Sequence, residues 1–150
     1  MSLVNDVNAR ITQAMKAHEP VALSTFRMLK SALMNKEIEK GRPLEDGEAI
    51  QVGGTLIKQR RESIDQFQKG GRQDLADKER AEIVVLEQLM PPAPTEAELQ
   101  AAVDAAVAET GAAGMKDIGR VMKAVMALLA GKPVDGKQVN ELVRKRLLAG

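Results

Sequence analysis

The segment QRRESIDQFQKGGRQDLADKERAEI, residues 59–83, carries charge where apolar side chains are expected. Two helices folded back on Gly70-Gly71 account for its pattern. On a 3.6-residue period Ile57, Ile64 and Phe67 share one stripe of the first helix, and Arg60 falls inside that stripe. On the second helix Leu75, Ile83, Leu86 and Met90 mark the apolar face, with Glu79 and Glu82 within it. An antiparallel hairpin centred on the two glycines sets the Arg60 guanidinium fork between the two carboxylates. A charge in an apolar stripe is tolerated only when paired. Two readings of Arg60, Glu79 and Glu82 are open: a structural polar lock that fixes the hairpin's register, or a groove in which Arg60 binds an anion.

Outward from this hairpin the chain reads as helix throughout. Residues 3–15 put Leu3, Val7, Ile11 and Met15 on one face after Ser2, and His18-Glu19-Pro20 interrupts them. Pro20 suits the first turn of a second helix, with Ala22, Phe26, Leu29 and Leu33 inward and an end before Gly41. Asp46 is the expected N-cap of the third helix, which runs to about Lys69. Gly53-Gly54 weakens that helix by roughly 1 kcal/mol per glycine relative to alanine. The fourth helix is expected to end at Met90, because Pro91-Pro92-Ala93-Pro94 cannot continue it. Thr95-Glu96-Ala97-Glu98 then forms a capping box opening a fifth helix, with Leu99, Val103 and Ala106 inward. Met115, Ile118, Met122, Val125 and Leu129 mark the sixth, and Asp135 caps a seventh with Val139, Leu142, Val143 and Leu147 inward.

The expected fold is therefore all-α. It has a helical N-terminal domain (residues 1–92) with an antiparallel helix hairpin, and a small three-helix C-terminal domain (residues 93–150). Composition agrees: there is no Trp or Tyr and only two Phe, so the cores rest on Ala, Leu, Val, Ile and Met. β-Branched and aromatic runs that would favour sheet are scarce.

Composition also narrows the chemistry. With no Cys there is no disulfide, thiolate metal site or thiol nucleophile. The longest apolar run, Ala124 to Ala130, is too short to span a bilayer. The first residues lack a signal peptide's basic and apolar regions, so a cytoplasmic protein is expected, with no membrane partner. His18 is the single histidine and has no nucleophile near it in sequence; no serine stands in an elbow or Ser-x-x-Lys context. No phosphate-binding glycine loop is present. Asp74, Asp77, Glu79 and Glu82 spread around their helix, so no metal, cofactor or catalytic set is expected.

Charge is balanced overall but not along the chain. Residues 91–110 hold Glu96, Glu98, Asp104 and Glu109 and no base, whereas residues 111–150 hold eight bases against three acids. Lys116, Arg120 and Lys123 form a stripe opposite the apolar face of the sixth helix. Lys137 and Arg144 align on the seventh, flanked by Lys145, and Arg146 is expected to snorkel from the apolar side. Arg146 apart, the six cations Lys116, Arg120, Lys123, Lys137, Arg144 and Lys145 either form an ordinary solvated face or meet a phosphate backbone without reading bases. The lack of aromatics disfavours single-strand stacking, so a structured RNA is the nucleic-acid candidate.

A resemblance covers nearly the whole chain. It rests on residues 13–17 (QAMKA), 23–29 (LSTFRML), 35–40 (NKEIEK), 58–64 (KQRRESI), 74–75 and 78–79, then 115–122 (MKDIGRVM), 135–137 (DGK) and 139–143 (VNELV). These segments resemble the GatB/YqeY family, similar to the C-terminal region of the tRNA-dependent amidotransferase B subunit. Gly53-Gly54 departs from the family's longer residues, and Leu89-Met90-Pro91-Pro92 from its Tyr-Leu-Pro. The resemblance implies a helical N-terminal domain and a three-helix C-terminal domain. It also implies a tail that helps hold tRNA while glutamine-derived ammonia is transferred to an aminoacyl-tRNA carboxylate, a carbon–nitrogen ligation. The parts of that enzyme that activate the carboxylate and release ammonia are not in this chain. The expected function is a tRNA-binding or tRNA-associated accessory module; the alternative is a protein-interaction adaptor for an amidotransferase or other subunits, with no RNA binding.

Overall fold

The computed structural model describes residues 2–149, which form seven α-helices and no strand. The backbone divides into two compact units, Met1–Pro91 and Pro92–Gly150.

The first unit holds α1 (Leu3–Lys16), α2 (Pro20–Lys40), α3 (Asp46–Lys69) and α4 (Gln73–Glu87). Ser2 caps α1 by accepting the Asn5 amide, and Pro20 occupies the first turn of α2. Between them His18 takes φ 55°, a left-handed conformation that ends α1 and turns the chain back. Gly41 ends α2 the same way at φ 72°, where a Cβ would be strained. The apolar seam of α1 differs from the expected one: Leu3, Val7 and Ala14 are buried, whereas Met15 is exposed. The stripe drifts because 3.6 residues per turn carries a four-residue step away from the core, and the smaller Ala14 meets it instead. On α2 the buried face is Thr25, Phe26, Leu29 and Leu33.

The N-cap of α3 is Glu45 rather than Asp46. The reason is Glu48, whose carboxylate accepts the Glu45 amide (3.0 Å), both Arg42 Nη atoms (2.7 and 3.0 Å) and Lys40 Nζ (2.6 Å). One side chain thus organises the α2–α3 connector, and Arg42 foremost, then Lys40, holds its carboxyl far below the usual range. The fourth helix stops at Glu87, three residues before the expected Met90. Gln88, Leu89 and Met90 bond back to residues three earlier, a tightened last turn. Within this unit α3 packs on α4, α1 on α2, and α2 on both hairpin helices. Leu3, Val7, Leu29, Leu33, Ala49, Ile57, Ile64, Ala76, Ile83 and Leu86 make its core.

The second unit holds α5 (Glu96–Thr110), α6 (Ile118–Leu128) and α7 (Gly136–Leu148), each in contact with the other two. Thr95 Oγ1 accepts the Glu98 amide at the start of α5, and Asp135 accepts the Lys137 amide at the start of α7. Met115–Asp117 is a 3-10 turn rather than part of α6. The buried side of α6 is consequently Val121 and Val125, continued by Leu129, with Met122 only partly covered. Leu99, Ala102, Val103, Ala106, Val107, Val139, Val143 and Leu147 complete this core.

Candidate functional site

The hairpin brings Arg60, Glu79 and Glu82 together. Arg60 is 7% exposed although charged. Its Nε donates to Glu82 Oε2 at 2.9 Å, and Nη1 donates to the Leu56 carbonyl one turn earlier at 3.0 Å. Nη2 donates to Met28 Sδ of α2 at 2.9 Å. Glu79 Oε2 lies 3.9 Å from Nε, close enough for attraction but too far for a hydrogen bond. Loss of water around Glu79, then the charge of Glu82, pushes its carboxyl above the usual range against the pull of Arg60. One cation therefore faces two carboxylates. That balance already favours negative charge, so an added anion gains little from Arg60, and the arrangement suits a register-fixing contact better than an anion site.

Two partners of Arg60 escaped the sequence reading. The Leu56 carbonyl is a helical i−4 acceptor and was available in principle. Met28 is 32 residues away on another helix, and no sequence pattern points a thioether at a guanidinium.

The six C-terminal cations are all exposed, but they differ in engagement. Arg120 Nη2 donates to Asp117 Oδ1 at 2.6 Å. Asp117 also accepts the Ala113 amide at 3.0 Å, and that amide first, then Arg120, holds its carboxyl below the usual range. Arg144 Nε donates to Asn140 Oδ1, one turn back on α7, at 2.7 Å. Lys123, Lys137 and Lys145 have no ion-pair partner among the described residues, and Lys116 makes none within 4 Å although its charge helps to hold the Asp117 carboxyl down. Lys116 sits in the 3-10 turn, so it leaves the regular spacing with Arg120 and Lys123. Arg146 is partly buried as a residue, with its side chain still 38% exposed, and its Nε donates to Asp104 of α5 at 3.2 Å. Lys132 is likewise joined to Glu98 of α5. The acids of α5 thus absorb two of the eight C-terminal bases and leave four lysines open.

Asp74 and Asp77 are taken up locally. Asp74 pairs with Arg72, and Asp77 accepts from Arg80 and Gln73. No group of three or more His, Asp or Glu suited to a metal ion occurs among the described residues. No helix among them is long and apolar enough to cross a membrane.

Fold and charge together define a helical protein of two compact units, one containing a buried, paired arginine and the other presenting exposed lysines. A family model described as Yqey-like protein matches residues 4–147, and the chain belongs to this YqeY-like family. Among curated proteins it is similar to "Altered inheritance of mitochondria protein 41, mitochondrial" of Eremothecium gossypii, with 37% identity over 98 residues, covering 63% of this chain and 54% of that protein. The protein of the same name from Lachancea thermotolerans is 33% identical over 103 residues, covering 67% of this chain and 55% of the relative. That from Pyrenophora tritici-repentis is 28% identical over 142 residues, covering 93% and 77%. The matches span little more than half the length of the first two relatives.

Proposed function

We propose that this chain is a tRNA-associated accessory module that holds structured RNA through its C-terminal unit. The observation that carries the reading is the set of four exposed lysines, Lys116, Lys123, Lys137 and Lys145, left without ion pairs while neighbouring bases are neutralised. Cations already paired gain less from a phosphate than open ones do. Arg120 and Arg144 complete the surface, since exposed pairs of their kind are weak enough to exchange for phosphate. The likeness to the amidotransferase tail supports tRNA as the RNA and ties the module to glutamine-dependent carbon–nitrogen ligation carried out by other subunits. The proposal assigns this chain no chemical step. It places the chain in the cytoplasm, although the relatives carry "mitochondrial" in their names.

The test is retention of tRNA on a filter by the purified protein across a salt series. Six phosphate contacts give a log–log slope of about −4 to −5, and the four lysines alone about −3 to −4. Absence of retention at low salt overturns the reading.

A second reading, a protein-interaction adaptor, is favoured by α2, where Ile38 is 76% and Met34 51% exposed. It expects no salt-steep RNA retention and a stable complex with an amidotransferase subunit in a pull-down.

A further inference from the structure

The contact between Arg60 and Met28 is chemically mismatched. A guanidinium is a strong charged donor, whereas a thioether sulfur is a weak acceptor. Here Arg60 Nη2, on a side chain almost wholly withdrawn from water, has Met28 Sδ at 2.9 Å as its acceptor. Met28 itself is 36% exposed, so part of its side chain borders solvent.

We propose that Met28 is an oxidation site whose sulfoxide is received by Arg60, tightening the junction of α2 with α3. The oxidant is a peroxide. A sulfur lone pair attacks one peroxide oxygen, the S–O bond forms as the O–O bond breaks, and the departing oxygen leaves as water or an alcohol after taking up a proton. Sulfur gives up two electrons and the peroxide accepts them. In an apolar contact the resulting polar sulfoxide loosens packing. At Met28 the new oxygen instead replaces a weak acceptor with a strong one, the flexible thioether drawing its sulfur back from the 2.9 Å contact so that the oxygen faces the Arg60 donor. Being uncharged, it adds nothing to the negative surplus of Glu79 and Glu82, which an anion would. Met15 and Met34 are more exposed, at 52% and 51%, and also react, but no hydrogen bond to either sulfur is formed among the described residues. Oxidation there gains no comparable partner.

The experiment uses the full chain carrying Met15→Leu and Met34→Leu, both at exposed positions, treated briefly with hydrogen peroxide. The species with one oxygen added at Met28, located by peptide mapping, is isolated and its thermal unfolding compared with that of the untreated protein. The expected result is an upward shift of the melting temperature. An unchanged or lowered melting temperature, or no oxidation at Met28, overturns the proposal. Independently, Met28→Gln offers Arg60 an uncharged amide oxygen and is expected to melt higher than Met28→Leu. A Met28→Leu protein that melts as high or higher overturns it as well.

Discussion

Arg60 Nε and Glu82 Oε2 meet at 2.9 Å across the α3–α4 hairpin, although 22 residues separate them in the chain. The contact exists only if the turn at Gly70-Gly71 sets the two helices in one register, because a slip of one residue rotates Glu82 by about 100° away from α3. A buried pair so placed is expected to fix the register of the hairpin, the best-attested use of a buried charge. Arg60→Ala is expected to destabilise the protein by roughly 3–5 kcal/mol, because it leaves Glu82 in a poorly hydrated site without a partner. Urea unfolding measures this directly. A loss below about 1 kcal/mol would show that the pair behaves as a surface one.

Glu79 gives the opposite response to removal of charge. Its carboxyl titrates above the usual range in the folded protein, so the native state binds a proton more tightly than the unfolded chain does. Stability contributed by this group is therefore greatest at low pH and falls as pH rises through the folded value. Glu79→Gln is expected to leave stability at pH 7 unchanged or raised, and to flatten the pH dependence just above the ordinary carboxylate range. Unfolding curves at a series of pH values decide it; a marked loss at pH 7 would mean that the attraction of Arg60 outweighs the loss of water.

Gly53 lies buried in α3 beneath the side chain of Met90. A Cβ at this position would overlap the Met90 methyl group and come within 2.7 Å of its sulfur. The obstacle is the end of a flexible side chain, so its removal should expose the ordinary cost of glycine in a helix. Gly53→Ala in a Met90→Ala background is expected to stabilise by about 0.5–1 kcal/mol, and in the parent chain by less. Equal effects in the two backgrounds, read by urea midpoints, would show that Met90 does not hold the notch.

For the proposed RNA surface, Arg144→Glu with Lys145→Glu is expected to abolish tRNA retention while leaving the helical circular dichroism and melting temperature in place. Both side chains are exposed, and among the described residues the side-chain bond at risk is the one from Arg144 to Asn140. Unchanged retention would remove α7 from the interface.

Much of this architecture is local and therefore legible in the chain. Pro20, Gly41, Thr95, Asp135 and the proline run at 91–94 punctuate helices through backbone geometry and capping, which neighbouring residues settle among themselves. The pairing of Arg60 with Glu82 was legible too, because a short turn between two helices fixes which positions face one another. Helix starts were misplaced where one carboxylate had several nearby groups to choose among, because spacing alone does not say which of them it binds. Glu48 gathers Lys40, Arg42 and the Glu45 amide and moves the start of α3, and Asp117, bound to the Ala113 amide, belongs to a separate turn before α6.

The sequence by itself determined an all-α chain of seven helices, because periodicity, caps and breakers act within a few residues of one another. Tertiary structure alone decided which charges remain open. Arg146 and Lys132 are neutralised by Asp104 and Glu98 on α5, 42 and 34 residues away, while Lys123 and Lys137 are not. It also decided that Met28 supplies the acceptor for Arg60. Such pairings depend on which helix faces pack together, and the spacing of residues along one helix carries no record of its neighbour.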